Sequence, residues 1–141
     1  MSGRRVVIVG GVAGGMSCAT RLRRLDEEAW ITVVERSGHV SYANCGLPYY
    51  VGGVIQDEED LLLMTPERLH ARFRLDVRVH TEVVAIDTVQ RTVTLRPSGG
   101  RGGATELAYD SLVLSPGAVA GPWRTRRRSP ARRARSRTRP W

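Results

Sequence analysis

The feature that most constrains the fold is a β-branched run that ends in a cluster of glycines near the start of the chain. The run RVVIV, residues 5–9, is typical of a strand buried on both faces of a parallel sheet. The following GGVAGG, residues 10–15, predicts a tight turn into a helix, where the backbone can approach a pyrophosphate closely. In the Gly-x-Gly-x-x-Gly register the first and third glycines are Gly10 and Gly15, but Val12 stands in the middle. Alone, this motif is a weak match.

The order of the elements that follow strengthens the prediction. Residues 30–34, WITVV, form a second β-rich run, and Glu35 ends it 20 residues after Gly15. An acid at this place in a dinucleotide-binding fold can accept the ribose hydroxyls of an adenosine. We therefore predict an α/β, Rossmann-like fold, with the glycine-rich turn of a nucleotide-free α/β domain as the alternative. Further short strands are predicted at residues 76–80, 82–88 and 91–95.

The charges divide the chain into two parts. Residues 1–118 hold 13 arginines and 14 acidic residues, whereas residues 119–141 hold 9 arginines and no acid. The second part has no apolar periodicity that could build a core, so we expect a disordered tail. One interpretation is a basic arm that binds nucleic acid or an anionic membrane. All 22 basic residues are arginine, which indicates a GC-rich gene, and we favour a frameshift product.

The two cysteines, Cys18 and Cys45, stand 27 residues apart. They form neither a disulfide framework nor a zinc-ligand spacing, and we expect no metal site. The sequence has no signal-peptide pattern and no apolar run long enough to span a bilayer. We therefore expect a cytoplasmic protein. The three histidines, none at a metal-ligand spacing, are expected to be ordinary surface or loop residues: His39, His70 and His80.

Polar side chains form a stripe along the helix predicted after the glycine turn. Ser17, Arg21 and Arg24 recur at helical spacing, while Met16, Ala19 and either Leu22 or Leu25 can face the sheet. Two guanidinium groups one turn apart would suit a phosphorylated ligand. A solvated face paired with the acids at residues 26–28 is the alternative.

A cysteine lies within the stretch SYANCGLPYY, residues 41–50. Asn44 or Cys45 is a plausible start of a short helix that has Pro48 in its first turn. Unpaired amides at a helix start stabilise a thiolate, so Cys45 is predicted to be a redox or nucleophilic site. The alternative is a buried structural cysteine.

Four stretches of residues 6–118 match one family when they are taken together: VIVGGVAGGMSCATRLRRLD, SYANCGLPYY, TPERL and YDSLVLSPGA. They resemble the amino-terminal part of the flavin-dependent pyridine nucleotide-disulfide oxidoreductases. Within that family they resemble the coenzyme A-disulfide reductase branch and its relatives, the NADH oxidases and NADH peroxidases. In that branch the middle glycine of the fingerprint is commonly replaced, and the ligand of this fold is FAD.

The resemblance implies roles for individual residues. Dithiol members carry a second cysteine five positions after the first, where this chain has Tyr50. Cys45 would therefore alternate between a thiolate and a mixed disulfide with coenzyme A, or a sulfenic acid as in the oxidases and peroxidases. The positions implied to bind FAD are Gly10, Gly11, Val12, Ala13, Gly14, Gly15, Glu35, Arg36, Val83, Ser115 and Gly117. The positions implied to line the substrate pocket are Ser17, Arg21, Arg24, Ser41 and Asn44, with Arg24 taking a phosphate.

The implied function is reduction of coenzyme A disulfide or a related small disulfide, with NAD(P)H as the electron donor and FAD as the relay. Residues 1–118 would be the first segment of the FAD-binding domain, a parallel sheet with an added antiparallel layer. Members of the family continue through a nicotinamide-binding domain and a homodimerisation domain. We therefore expect this chain to be a truncated, inactive fragment. An NADH oxidase or peroxidase fragment, and nucleic-acid or membrane binding through the tail, are the alternatives.

Overall fold

A computed structural model describes residues 3–100 and 102–118 of the chain. The predictions of a disordered tail and of a frameshift product concern residues 119–141, which lie outside the described residues. The helices are α1 (Ala13–Leu25), α2 (Leu47–Val51) and α3 (Pro66–Phe73), with two 3-10 helices at Asn44–Gly46 and Glu58–Leu61. The strands are β1 (Arg5–Val9), β2 (Trp30–Val34), β3 (Asp76–Arg78), β4 (Thr81–Asp87), β5 (Thr92–Pro97), β6 (Thr105–Ala108) and β7 (Ser111–Leu114).

Four strands form a parallel sheet in the order β3-β2-β1-β7. Strand β1 lies in its interior, with Val6 opposite Ile31 of β2 and Ser111 of β7. The other three strands form an antiparallel sheet in the order β4-β5-β6. This arrangement confirms the predicted fold class, a Rossmann-like α/β domain with an added antiparallel layer.

Strand β1 is apolar at consecutive positions because both of its faces are buried. Val6 and Ile8 belong to a hydrophobic cluster that includes Met16 and Ala19 of α1 and Leu69 of α3. The intervening Val7 belongs to a second cluster with Val93 and Leu95 of β5. The parallel sheet therefore lies between a helical layer and the antiparallel sheet.

Helix α1 faces the sheet through Met16 and Ala19, as its pattern predicts. Leu22 packs against the same cluster, while Leu25 is 68% exposed, so Leu22 is the one that completes the apolar face.

Arg23 is a buried arginine that joins the ends of two helices. Its Nε donates to the carbonyl of Phe73 at 2.8 Å, and its Nη2 donates to that of Arg74 at 3.1 Å. Its Nη1 donates to the carbonyls of Asp26 and Glu27. The planar guanidinium can serve these carbonyls together, which a lysine cannot do. Arg23 thus fixes α3 against the end of α1.

The described residues contain no helix that is both long and apolar enough to cross a membrane.

Candidate active site

The glycine turn after β1 packs tightly against the chain that follows β7. Gly10 has a φ of +99°, and a Cβ there would collide with the carbonyl of Ser115. A Cβ at Gly15 would collide with the carbonyl of Gly10 in the same way. Only glycine provides both the backbone conformation and the space. The turn therefore brings the end of β1, the start of α1 and the end of β7 together.

The N-terminus of α1 has no side-chain cap. Val12 is the N-cap residue without a capping hydrogen bond, and the first turn contains no acidic residue. Among the described residues, no acceptor takes the N–H groups of Ala13, Gly14 or Gly15. Unpaired amides and the positive end of the helix dipole favour an anion at this place. The turn is thus suited to a phosphate group.

Glu35 lies at the end of β2 and is only 8% exposed. Its Oε2 accepts the N–H of Gly11 at 2.8 Å, and its Oε1 accepts the N–H of Ser37 at 2.9 Å. Burial raises the pKa of Glu35, but the hydrogen bonds from Gly11 and Ser37 and the charge of Arg36 together hold the pKa below its ordinary value. Glu35 is therefore an ionised acceptor that also holds the glycine turn in place.

A cavity of about 350 Å³ opens beside Glu35 and the start of α1. The residues around it come from the glycine turn, the segment after β2 and the segment after β7. Six were predicted as site residues from the sequence: Val12, Glu35, Arg36, Asn44, Ser115 and Gly117. Five others complete the wall: Ser37, His39, Tyr42, Pro116 and Ala118.

The aromatic part of this wall was not predicted. The rings of His39 and Tyr42 pack with their centroids 5.8 Å apart. Tyr42 also donates a long hydrogen bond, 3.5 Å, to the carboxylate of Glu58. The only sequence signal was the position of both residues between the acid of β2 and the thiol.

Val83 lies on β4, apart from both the glycine turn and the cavity. Its side chain packs with the cluster between the two sheets, and it does not line the cavity. A role for Val83 would therefore have to use its backbone, and it stays a prediction.

Cys45 lies in the 3-10 helix Asn44–Gly46 and is exposed. Helix α2 follows directly and has Pro48 in its first turn, as the sequence indicated. Asn44, which precedes the thiol, lines the cavity. Cys18 instead packs, half-buried, against the core on α1. The exposed thiol therefore stands next to a residue of the cavity wall.

The polar stripe of α1 is exposed along its length. Ser17, Arg21 and Arg24 all lie on the surface, and Ser41 is half-buried. The ion pairs found within residues 3–100 and 102–118 join Arg5 to Asp110 and Arg78 to Asp76. In this part of the chain, neither Arg21 nor Arg24 is paired with an acid. Both guanidinium groups can therefore meet a ligand.

A larger groove, about 760 Å³, lies along a different part of the sheet, beside the start of β1 and β2. It contains none of the residues predicted for the site. Its arginines are engaged within the protein, since Arg5 pairs with Asp110 and Arg78 pairs with Asp76. The described residues also hold no cluster of three or more potential metal ligands.

The fold and this site define a Rossmann-like α/β segment that has an uncapped helix N-terminus at its glycine turn and carries an exposed thiol. Residues 4–129 match the family described as pyridine nucleotide-disulphide oxidoreductase, and the chain belongs to that family. A curated relative is the coenzyme A disulfide reductase of Staphylococcus haemolyticus, 40% identical over 119 residues. That match covers 83% of this chain and 26% of the relative. The chain thus spans about a quarter of the length of the curated relatives it matches.

Two solved structures are also similar to this chain. The reduced CoADR-RHD of Bacillus anthracis is 51% identical, with a TM-score of 0.79, and the match covers 84% of this chain and 21% of that one. The water-forming NADH oxidase of Lactobacillus brevis is 31% identical, with a TM-score of 0.74. That match covers 81% of this chain and 25% of the oxidase.

Proposed function

We propose that this chain provides the dinucleotide site and the redox thiol of an NAD(P)H-dependent reductase of coenzyme A disulfide or a related small disulfide. The observation that carries the proposal is that the exposed Cys45 directly follows Asn44, a residue of the cavity wall. Glu35 and Val12, the N-cap residue of α1, line the same cavity. The similarity to coenzyme A disulfide reductases supports the choice of substrate.

The cavity and the glycine turn beside it would together hold the adenosine and pyrophosphate of FAD. The uncapped amides of Ala13, Gly14 and Gly15 would hold the pyrophosphate, and Glu35 would accept the ribose hydroxyls with its remaining lone pairs. Arg36, Ser115 and Gly117 would complete the wall. When bound, FAD supplies the relay by which electrons from NAD(P)H return the thiol to its reduced form.

The chemistry of the chain itself begins at Cys45. Its thiolate attacks one sulfur of the disulfide, a Cys45–coenzyme A disulfide forms, and one coenzyme A thiolate leaves. Two electrons and one proton then return Cys45 to the thiolate and release the second coenzyme A as a thiol. Tyr50 stands where dithiol members have their second cysteine, so no internal disulfide competes with this mixed disulfide.

The stripe on α1 would bind the substrate. Coenzyme A carries several phosphate groups, and Arg24, with Arg21 one turn away, would hold one of them through charge-assisted hydrogen bonds. Ser17, Ser41 and Asn44 would supply neutral polar contacts. The need for a free thiol also favours a reducing compartment, so the cytoplasm remains our prediction. Homodimerisation, known for the family, likewise remains a prediction.

The second candidate is an oxidase or peroxidase activity in which peroxide oxidises Cys45 to a sulfenic acid and water leaves. The 31% identity to the Lactobacillus brevis NADH oxidase favours keeping this candidate. Binding of nucleic acid or an anionic membrane would depend on residues 119–141. It stays a hypothesis that we do not favour, and removal of those residues would test it.

The test is to incubate the reduced chain with coenzyme A disulfide and to analyse the intact protein by mass spectrometry. We expect one coenzyme A attached at Cys45 and one coenzyme A thiol released per chain. Cys18→Ser should leave this product unchanged, and Cys45→Ser should abolish it. Failure of Cys45 to form the mixed disulfide, together with a reversible sulfenic acid after peroxide, would instead support the oxidase candidate.

A further inference from the structure

The thiol lies in a loop that is closed at its base. We call residues 44–60 the thiol loop. Tyr42 and Leu62 form an antiparallel bridge, and the N–H of Ala43 donates to the carbonyl of Leu61 at 2.8 Å. The N–H of Leu63 donates to the carbonyl of Ser41 at 3.1 Å. The chain thus leaves and returns through two short paired segments.

The same base is attached to the glycine turn. The N–H of Ser41 donates to the carbonyl of Gly11 at 2.8 Å, and Val40 is buried beside Gly11. Ser41 adopts a φ of +54°, a conformation that is uncommon outside glycine. The base of the thiol loop is therefore fixed relative to the dinucleotide cavity.

The loop itself has almost no interior. No residue in 44–60 is buried, and only Gly46, Tyr50 and Ile55 are half-buried. Its large apolar side chains point outward, since the exposed set includes Leu47, Tyr49, Val51 and Val54. Fixing the base alone does not fix the position of Cys45, because the backbone between residues 44 and 60 could still move.

Leu61 is the buried side chain that contacts this loop. It is 1% exposed, the same as Leu69 of the core, yet it belongs to neither hydrophobic cluster of the described chain. Its neighbours include Gly46, because a Cβ on Gly46 would collide with the Cδ2 of Leu61 and would lie 3.5 Å from the Cδ1 of Ile55. Leu61 thus packs directly under the residue that follows Cys45.

We propose that Leu61, packed against Gly46, is the positioning residue that holds Cys45 next to the cavity, beside the wall residue Asn44. The inference rests on the proposed function, because Cys45 needs a fixed position only if it attacks a bound disulfide. Leu61 does not touch the substrate. It acts by keeping the 3-10 helix Asn44–Gly46 in one place.

The first test measures the packing without reference to any substrate. Leu61→Ala should raise amide hydrogen exchange of the 3-10 helix Asn44–Gly46 by about tenfold or more while leaving that of β1 near wild type. Leu69→Ala is the matched control. Leu69 is also 1% exposed, but it belongs to the hydrophobic cluster between the parallel sheet and the helices. Leu69→Ala should raise amide hydrogen exchange of α3 and leave that of the 3-10 helix Asn44–Gly46 near wild type. Equal effects of both variants on that helix would overturn the inference.

The second test measures the rate of mixed disulfide formation with coenzyme A disulfide. Leu61→Ala and Gly46→Ala should each lower the rate constant by about fivefold or more, because a misplaced nucleophile loses its alignment. The double variant Gly46→Ala/Leu61→Ala should recover to within about twofold of wild type, because the added methyl group occupies space that the leucine vacated. Destabilisation alone would make the double variant worse than either single one.

The two proposals fail differently. If the wild-type chain forms no mixed disulfide, the proposed function is wrong. If the wild type forms it and Leu61→Ala forms it at the same rate, the proposed function stands and the positioning role of Leu61 is refuted.

Discussion

Replacing Glu35 by glutamine tests whether the acid of β2 also holds the glycine turn. The carboxylate accepts two N–H groups, from Gly11 at 2.8 Å and from Ser37 at 2.9 Å, at a site that is 8% exposed. A carboxamide has one acceptor oxygen, so one of these two N–H groups would face an NH₂ group. Hydrogen bonds to charged groups contribute about 1.5–3 kcal/mol each, so we expect the free energy of unfolding to fall by about 2 kcal/mol.

The pKa of Glu35 determines in which direction the stability changes with pH. The folded pKa of Glu35 lies below the ordinary value of 4.5, because the amide hydrogen bonds outweigh the effect of burial. The stabilisation from ionised Glu35 is therefore complete above pH 4.5 and is lost as the pH falls through the lower, folded pKa. Glutamine does not titrate, so the difference in the free energy of unfolding between wild type and Glu35→Gln should become smaller in acid.

The assay is urea unfolding at a series of pH values, with circular dichroism as the readout. Glu106→Gln is the control, because Glu106 is exposed on β6 and such surface changes cost within about 0.5 kcal/mol. A Glu35→Gln protein as stable as Glu106→Gln at neutral pH would refute the structural role of this carboxylate. A stability difference between wild type and Glu35→Gln that grows in acid would also refute this role.

Three further predictions concern the turn, the sheet edge and the substrate stripe. Gly10→Ala should lower the free energy of unfolding by about 3 kcal/mol, measured by urea unfolding, because its φ of +99° and the nearby Ser115 carbonyl leave no place for a methyl group. The hydrogen bond from Arg5 lowers the pKa of Asp110 to about 2, so wild type should lose stability relative to Asp110→Asn only as the pH falls from 3.8 to about 2. Arg24→Ala should slow mixed disulfide formation with coenzyme A disulfide by about tenfold, and leave the rate with a small neutral disulfide unchanged. A loss with both disulfides would contradict a phosphate contact.

Local sequence patterns predicted the strands and the helix whose formation depends on residues close together in the chain. The strands at residues 5–9 and 30–34 lie where their apolar runs indicated, and the helix between them faces the sheet through Met16 and Ala19. In a parallel sheet both faces are buried, so a continuous apolar run identifies such a strand directly. Strand β6, at Thr105–Ala108, was missed because it is short and follows a glycine-rich segment.

Contacts between distant parts of the chain could not be predicted in this way. The glycine turn packs against Ser115, which lies about a hundred residues further along. Arg23 looked like any other arginine of α1, and its partners at Phe73 and Arg74 are 50 and 51 residues away. The burial of Leu61 likewise depends on a loop that closes through tertiary contacts. The roles of the individual site residues remain predictions, some of which came from local patterns and the others from the resemblance.

The most direct measurement of the central claim is a ratio of two rate constants for Cys45 in the wild-type chain. One is for coenzyme A disulfide, and the other is for a small neutral disulfide of similar leaving-group acidity. A site that binds the phosphates beside the thiol should make coenzyme A disulfide react at least about tenfold faster, which corresponds to one charged hydrogen bond. A ratio near one would show that Cys45 is merely an exposed thiol, and would contradict a disulfide-reducing site in this chain.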